Sequence, residues 1–284
     1  MKRILFPTDF SEVANNAFVH ALEFAKTVEG ELIVLHSYDL PPIDDQFFPE
    51  NFTEVYDSLE LAQFDLFKDE IPKLRDIMEK HNAEHIKMTH RLMEGELAAN
   101  IKKLVQEDKI DFVVMGTSGA TEWEALFAGS NSGSVVLGLK VPMLCIPEGV
   151  QFKKIYTIGF STHFRAKDKK ALFTILEIAK KIKAHIKCLY IKTSNSDVDV
   201  ATIEQWEAEF SKEPVEFFVI QSDEIKQVML DFVASQEIDV LSMLVYKKTL
   251  FEDLFIPVYA KKTTSDITIP ILVIHALESA KPNI

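Results

Sequence analysis

Short runs of consecutive apolar residues alternate along this chain with longer stretches in which apolar positions recur every three or four residues. The first run, Arg3-Ile4-Leu5-Phe6, stops at Pro7-Thr8-Asp9. Behind it Ala14, Phe18, Ala21, Leu22 and Ala25 repeat at helical spacing, with Ser11 in place to cap the helix they predict. Leu32–His36 forms a second buried run. A stretch of mixed acidic and apolar residues then leads to a third strand near 85–92, a helix over 96–106 and a fourth strand at Phe112–Met115. A glycine-containing loop, a short helix near 132–139 and a fifth strand at Met143–Ile146 complete the series. Strands that are apolar on both faces and alternate with helices predict a parallel sheet covered on both sides.

The order then repeats. Lys154–Ile158 opens a second series, followed by a helix over 165–183 and a strand at Ile186–Ile191. A helix near 199–211, a strand at Val215–Ile220, a helix over 223–236 and strands at Val240–Val245 and Ile271–Ile274 follow. Asp111 and Asp239 precede the two fourth strands, Pro142 and Pro270 open the two fifth strands, and each pair is 128 residues apart. Leu126-Phe127 and Leu254-Phe255 share that offset. The chain therefore reads as a tandem duplication, residues 1–149 and 150–284, joined by a junction too short to be a flexible tether. A length of 284 residues agrees with two domains.

The two copies have diverged in charge. Residues 1–148 carry 13 Lys and Arg against 26 Asp and Glu, whereas residues 149–284 carry 18 of each. An acidic balance of this kind disfavours nucleic acid as a partner, because phosphate binding draws on clustered cations. No apolar run approaches the roughly 20 residues needed to span a bilayer, and the apolar stretch at the start is too short for a signal peptide. Cys145 and Cys188 provide neither a disulfide framework nor a metal cluster. The expectation is a cytoplasmic protein without membrane association.

Candidate chemistry concentrates at the strand ends of the first copy. In open α/β sheets ligands bind beyond the carboxyl ends of the strands, where the strand order reverses. The first strand ends at Pro7-Thr8-Asp9, and the fourth runs through Met115 into Gly116-Thr117, opening the pattern Gly116-x2-Gly119-x9-Gly129-Ser130-Asn131. Glycines at a strand end let backbone N–H groups approach an anion, and the helix expected after Asn131 would add its free N-terminal donors. Against this, Glu122 and Glu124 lie inside the motif, and residues 117–131 contain no Lys or Arg.

The Pro-Thr-Asp strand end and the Gly-x2-Gly-x9-Gly-Ser spacing together resemble the universal stress protein family. The resemblance implies two tandem flavodoxin-like domains of the adenine nucleotide alpha hydrolase-like kind. Each would be an α/β fold with a five-stranded parallel sheet in the order 3-2-1-4-5 and helices on both faces. It further implies ATP or AMP between strands one and four, with Mg²⁺ held mainly through phosphates. Asp9, beside Pro7 and Thr8, would meet adenine and ribose, and Ser37 would line adenine through its backbone. Met115, Gly116, Thr117, Gly119, Gly129, Ser130 and Asn131 would wrap ribose and phosphates. The family's pairing through fifth strands implies an intramolecular pseudo-dimer here and leaves a homodimer open. The implied role is nucleotide-dependent signalling or stress response, with ATP hydrolysis slow or absent, since no residue is placed as a general base. An interaction scaffold that binds no nucleotide is the competing reading.

In the second copy the 128-residue offset turns Gly116, Gly119, Gly129 and Ser130 into Leu244, Lys247, Pro257 and Val258. Bulky residues resist positive φ and proline removes a backbone donor, so nucleotide is expected in the first copy only. Phe160 is read as lying near the register of Asp9. Lys247, Lys248, Lys261 and Lys262 read as a solvated basic rim. His81, His85 and His90 lack the spacing of a zinc set, and the Walker, Gly-x-Gly-x-x-Gly and Gly-x-Ser-x-Gly motifs do not occur. The insert from Leu40 to His81 mixes Phe47, Phe48, Phe52, Tyr56, Leu59, Leu61, Phe64 and Phe67 with acidic residues. That pattern predicts an amphipathic helix that packs on its own domain or serves as a lid on the adenine side.

Overall fold

The computed structural model describes residues 1–40, 52–117, 139–196, 198–245 and 269–275. Two compact units divide between Gly116 and Thr117. In the first, β1 (Arg3–Pro7), α1 (Glu12–Val28), β2 (Glu31–Tyr38), α2 (Phe52–Lys80), β3 (Met88–Glu94), α3 (Leu97–Glu107) and β4 (Phe112–Thr117) follow one another. All strand pairs are parallel: Arg3–Pro7 lies along Glu31–Leu35, Leu32–Tyr38 along Met88–Glu94, and Ile4-Leu5 beside Phe112-Val113. The order is thus β3-β2-β1-β4.

The second unit holds β5 (Met143–Pro147), β6 (Thr157–Ser161), α4 (Ala166–Ile182), β7 (His185–Lys192), α5 (Val200–Phe210), β8 (Val215–Gln221), α6 (Ile225–Ser235), β9 (Val240–Val245) and β10 (Ile271–His275). Its parallel pairs give the order β8-β7-β6-β9-β10, the same 3-2-1-4-5 arrangement. Thr117, the last residue of β4, accepts the Glu148 N–H at 3.0 Å and donates its hydroxyl to the Ile146 carbonyl at 3.4 Å.

Sequence explains these elements locally. Ser11 caps α1 by accepting the Ala14 N–H at 3.1 Å, and Glu29 ends the helix in the left-handed region. Phe18 of α1 packs its ring 5.1 Å from Phe6 of β1, and Phe24 lies 4.4 Å from Phe112. His36 and Ser37 are adjacent on β2 and so face opposite sides of the sheet. His36 meets Phe67 of α2, and Ser37 meets Asn100 of α3, so helices cover both faces.

The duplicated aspartates have a shared task. Asp111 accepts the Arg3 N–H at 2.9 Å and returns its own N–H to the Arg3 carbonyl at 2.9 Å. Asp239 accepts the Tyr156 and Thr157 N–H groups at 2.7 and 2.9 Å and donates to the Thr157 carbonyl at 3.0 Å. In each copy the carboxylate before strand four clamps the start of strand one.

The fifth strands pair antiparallel, with Cys145 against Ile271, Leu144 against Leu272 and Met143 against Val273. Leu144 and Leu272 are equivalent at the repeat offset and face each other, so exchanging the copies leaves the pairing unchanged. This pairing draws β5 into the second compact unit, which is why the division at 116/117 precedes the repeat boundary expected at 149/150.

Candidate functional site

The site expected at the strand ends begins with the turn after β1. Thr8 is buried; its N–H bonds to the Leu35 carbonyl at 2.8 Å, and its hydroxyl accepts the Phe10 N–H at 2.9 Å. Asp9 is exposed and accepts the Ser11 N–H through Oδ1 at 2.9 Å. Phe10 takes a φ of 64°, a conformation rare for a side chain of its size. This turn aims the Asp9 carboxylate outward at the amino end of α1.

β2 ends beside it. His36 donates Nδ1–H to the Thr8 carbonyl at 2.8 Å, which ties the two strand ends together. Ser37 is half-buried and accepts from Asn100 Nδ2 at 3.1 Å; the same amide donates to the Glu94 and Gly95 carbonyls, each at 3.1 Å. One buried amide therefore fixes the ends of both β2 and β3. Sequence reading gave Asn100 no role, because its partners come from three separate segments.

β4 supplies the other wall. Continuing the β1–β4 register brings Thr8 level with Gly116, at the reversal of strand order. A Cβ on Gly116 would lie 2.9 Å from the Val13 carbonyl oxygen, so the end of β4 rests against the first turn of α1 in a way that only glycine allows. Pro7, Met115 and Thr117 are buried. The structure thus brings together Pro7, Thr8, Asp9, Ser37, Met115, Gly116 and Thr117. Gly119, Gly129, Ser130 and Asn131 lie outside the described residues, as do Glu122 and Glu124.

Below the rim sits an aromatic cluster that the sequence did not reveal. Phe67 of α2 stacks 6.2 Å from His36 and lies 6.0 Å from Phe10 and 6.1 Å from His90. Phe10 and His36 are 5.0 Å apart. Burial, with the nearby Arg75 guanidinium adding to it, pushes the His90 imidazole below its ordinary pKa. Tyr38 moves the other way, raised by burial and by the carboxylates of Glu60 and Glu94. Burial pushes the Cys145 thiol up to about 12 and raises Cys188 as well, so both are inert thiols.

The second copy keeps the turn and changes its chemistry. Thr162 donates its N–H to the Leu189 carbonyl at 2.9 Å and accepts the Phe164 N–H at 2.9 Å, and Phe164 has a φ of 55°. These are the bonds of Thr8 and Phe10, so the counterpart of Asp9 is His163. The sequence reading that put Phe160 there is corrected: Phe160 is a buried residue of β6 matching Phe6. β6 ends at Ser161 as β1 ends at Pro7, so the turn residue that matches Asp9 lies three positions beyond Phe160.

A carboxylate returns one helical turn later. Asp168, almost wholly buried, accepts the His163 N–H at 2.7 Å, the Arg165 N–H at 3.1 Å and the Thr162 hydroxyl at 3.3 Å. The aromatic cluster also has a counterpart. Phe164 lies 5.3 Å from Tyr190, 5.1 Å from Trp206 and 5.8 Å from Phe217. Tyr190 and Phe217 stand where the first copy has His36 and His90.

Among the described residues no three His, Cys, Asp or Glu side chains come together as a metal set, and no helix is long and apolar enough to cross a membrane. Comparison with known proteins gives a consistent result. The profile of the universal stress protein family matches residues 1–147. A universal stress protein of Methanocaldococcus jannaschii is 28% identical over 149 residues, which is 51% of this chain and 81% of that protein. One from Thermus aquaticus is 28% identical over 151 residues, 51% of this chain and 98% of its own length. Among solved structures, a universal stress protein of Archaeoglobus fulgidus superposes with a TM-score of 0.69 at 18% identity, covering 96% of this chain and 98% of its own. One from Pseudomonas aeruginosa reaches 0.57 at 9% identity over 97% and 93%. At those identities the likeness is one of fold.

Proposed function

The chain belongs to the universal stress protein family, and on that premise we propose that its first repeat, residues 1–149, binds an adenine nucleotide, ATP or AMP, between the ends of β1 and β4. The observation that carries this reading is the Thr8–Asp9 turn standing level with Gly116 where the strand order reverses. Asp9 fits the ribose side of such a ligand: it is exposed, and its hydrogen bond from the Ser11 N–H uses only part of the carboxylate's acceptor capacity. Ser37, held by Asn100, offers backbone groups to the base.

Gly119, Gly129, Ser130 and Asn131 complete the reading by wrapping the phosphates with backbone donors and a hydroxyl. Mg²⁺, when bound with the nucleotide, would screen phosphate charge in a motif that has no cationic side chain. The second repeat, residues 150–284, is a structural partner that makes an internal pseudo-dimer through β5 and β10. It offers no equivalent site, since Leu244, Lys247, Pro257 and Val258 replace the motif. The insert helix α2 acts at most as a cover on the adenine side. The role is nucleotide-dependent stress response or signalling, and among the described residues no side chain stands out as a base for activating water.

Calorimetric titration of Mg-ATP into the purified chain tests the reading, after heat release of any co-purified nucleotide. Binding at one site per chain is expected, and Gly129→Val should abolish it while leaving the thermal transition in place. Absence of both binding and carried-over nucleotide would overturn the proposal and favour an interaction scaffold.

A further inference from the structure

In both repeats the helix after strand two packs on strand three through one aromatic ring, yet the ring that receives it differs. In the second copy Trp206 of α5 lies edge-on to Phe217 of β8 at 6.4 Å. In the first copy His90 of β3 takes that place, since it pairs with Val34 as Phe217 pairs with Cys188. Phe67 of α2 lies edge-on to His90 at 6.1 Å. A phenyl ring therefore satisfies this position of the fold, and the imidazole adds a polar nitrogen that packing does not need.

That nitrogen is stranded. His90 Nε2 is buried and finds no hydrogen-bond partner among the described residues, a cost that a phenyl ring does not carry. Protonation would put a positive charge at the same point. Burial opposes that charge first and the Arg75 guanidinium of α2 second, which holds the imidazole pKa below 6.5. The other groups around it give no relief. Glu70 of α2 is paired with Lys73, and His36 of β2 donates to the Thr8 carbonyl. On β3 itself Arg91 donates to the His90 carbonyl and pairs with Asp108. His81, just after α2, faces Glu23 of α1 at 3.7 Å, so its protonation would hold the helix more tightly.

We propose that His90 is a proton-operated latch for α2: neutral, it lets the helix seat on the sheet through Phe67, and protonated, it releases the helix. The sign follows from linkage. A base that is harder to protonate with the helix seated favours the seated state above the ordinary imidazole pKa of 6.5 and loses that preference as pH falls below it. Phe67 also reaches Phe10, the turn residue next to Asp9, so release would uncover that side of the strand ends. This consequence for a ligand rests on the nucleotide site proposed above; the latch itself does not.

Amide hydrogen-exchange protection factors of the nucleotide-free full chain, compared between about pH 7.5 and about pH 5.5, test the latch apart from the site. Protection in α2 should fall several-fold, up to a ceiling of about tenfold set by the ordinary imidazole pKa. Protection in α5, which rests on Phe217, should change little. His90→Phe supplies the ring that the second copy uses and should abolish the response in α2. In the unaltered chain, which needs no substitution to fold, the His90 ring should titrate by NMR below 6.5, in step with the loss of protection. Protection in α2 indifferent to pH, a response that survives His90→Phe, or a His90 titration at or above the ordinary value would each overturn the proposal.

Discussion

Gly116 shows how a residue singled out for one reason can be required for another. The sequence suggested a glycine that frees φ or admits a ligand, yet Gly116 is not among the described residues with positive φ. Its hydrogen faces the Val13 carbonyl, and an added methyl would meet backbone at 2.9 Å. Backbone yields less readily than a side chain, so Gly116→Ala should cost about 1–3 kcal/mol, read as a lower urea midpoint at constant m-value. Unchanged stability would mean that β4 and α1 can separate freely. Glu31 gives a second residue-level case. Its carboxylate is nearly buried between Lys87 Nζ at 2.7 Å and Arg3 Nε at 2.8 Å. The bond from Lys87 holds its pKa below 4.5, outweighing the opposing effect of burial, with Arg3 adding to the shift. A depressed folded pKa contributes stability above the unfolded value that is lost as pH falls through the folded one. Glu31→Gln should therefore cost about 1–2 kcal/mol at neutral pH, the low end for charged hydrogen bonds because both cations are partly exposed. That difference should shrink as the pH drops below 4.5; a gap that stayed constant with pH would rule out the ionic origin.

At the scale of elements, α2 separates what the sequence revealed from what it concealed. Apolar residues at helical spacing made a long helix legible within the insert, and one runs from Phe52 to Lys80. The face it buries was not legible, because Leu61, Phe64 and Phe67 are all apolar and nothing local ranks them. The structure buries Phe67, Leu74 and Met78 and leaves Leu61 and Phe64 more than half exposed. Phe67 decides the matter by reaching Phe10, His36 and His90, residues set by three other elements. Trp206 of α5 occupies the same relation to Phe164 and Phe217 in the second copy, so this contact belongs to the architecture of the repeat. Truncation by Phe67→Ala should cost about 3 kcal/mol. Amide exchange in α2 should accelerate far more than in α1, whose contacts with β1 the change does not touch. Uniform acceleration across the first repeat would show that α2 is not separately anchored by this ring.

For the whole molecule, the duplication was readable where both copies keep their lengths and obscured where they do not. Asp111 and Asp239 could be matched from the sequence because strands four and five share one offset, and each performs the same backbone clamp. Thr8 and Thr162 could not, since the longer β2–β3 connection shifts the register; their equivalence rests on identical bonds to Leu35 and Leu189 and on the left-handed Phe10 and Phe164. That register changes what divergence of the second site means. A single exchange, His163→Asp, restores the carboxylate of the first copy at its matching position. It does not restore the surroundings, because the N–H groups of His163 and Arg165 already bond to the buried Asp168, whose counterpart in the first copy is Ala14. A second carboxylate at 163 would find those donors occupied and a like charge beside it. Calorimetric titration of the His163→Asp chain with Mg-ATP should accordingly keep the stoichiometry of the unaltered chain. A second equivalent of nucleotide would mean that the strand-one carboxylate alone makes the site, and that the loss of the glycine motif in the second copy is incidental.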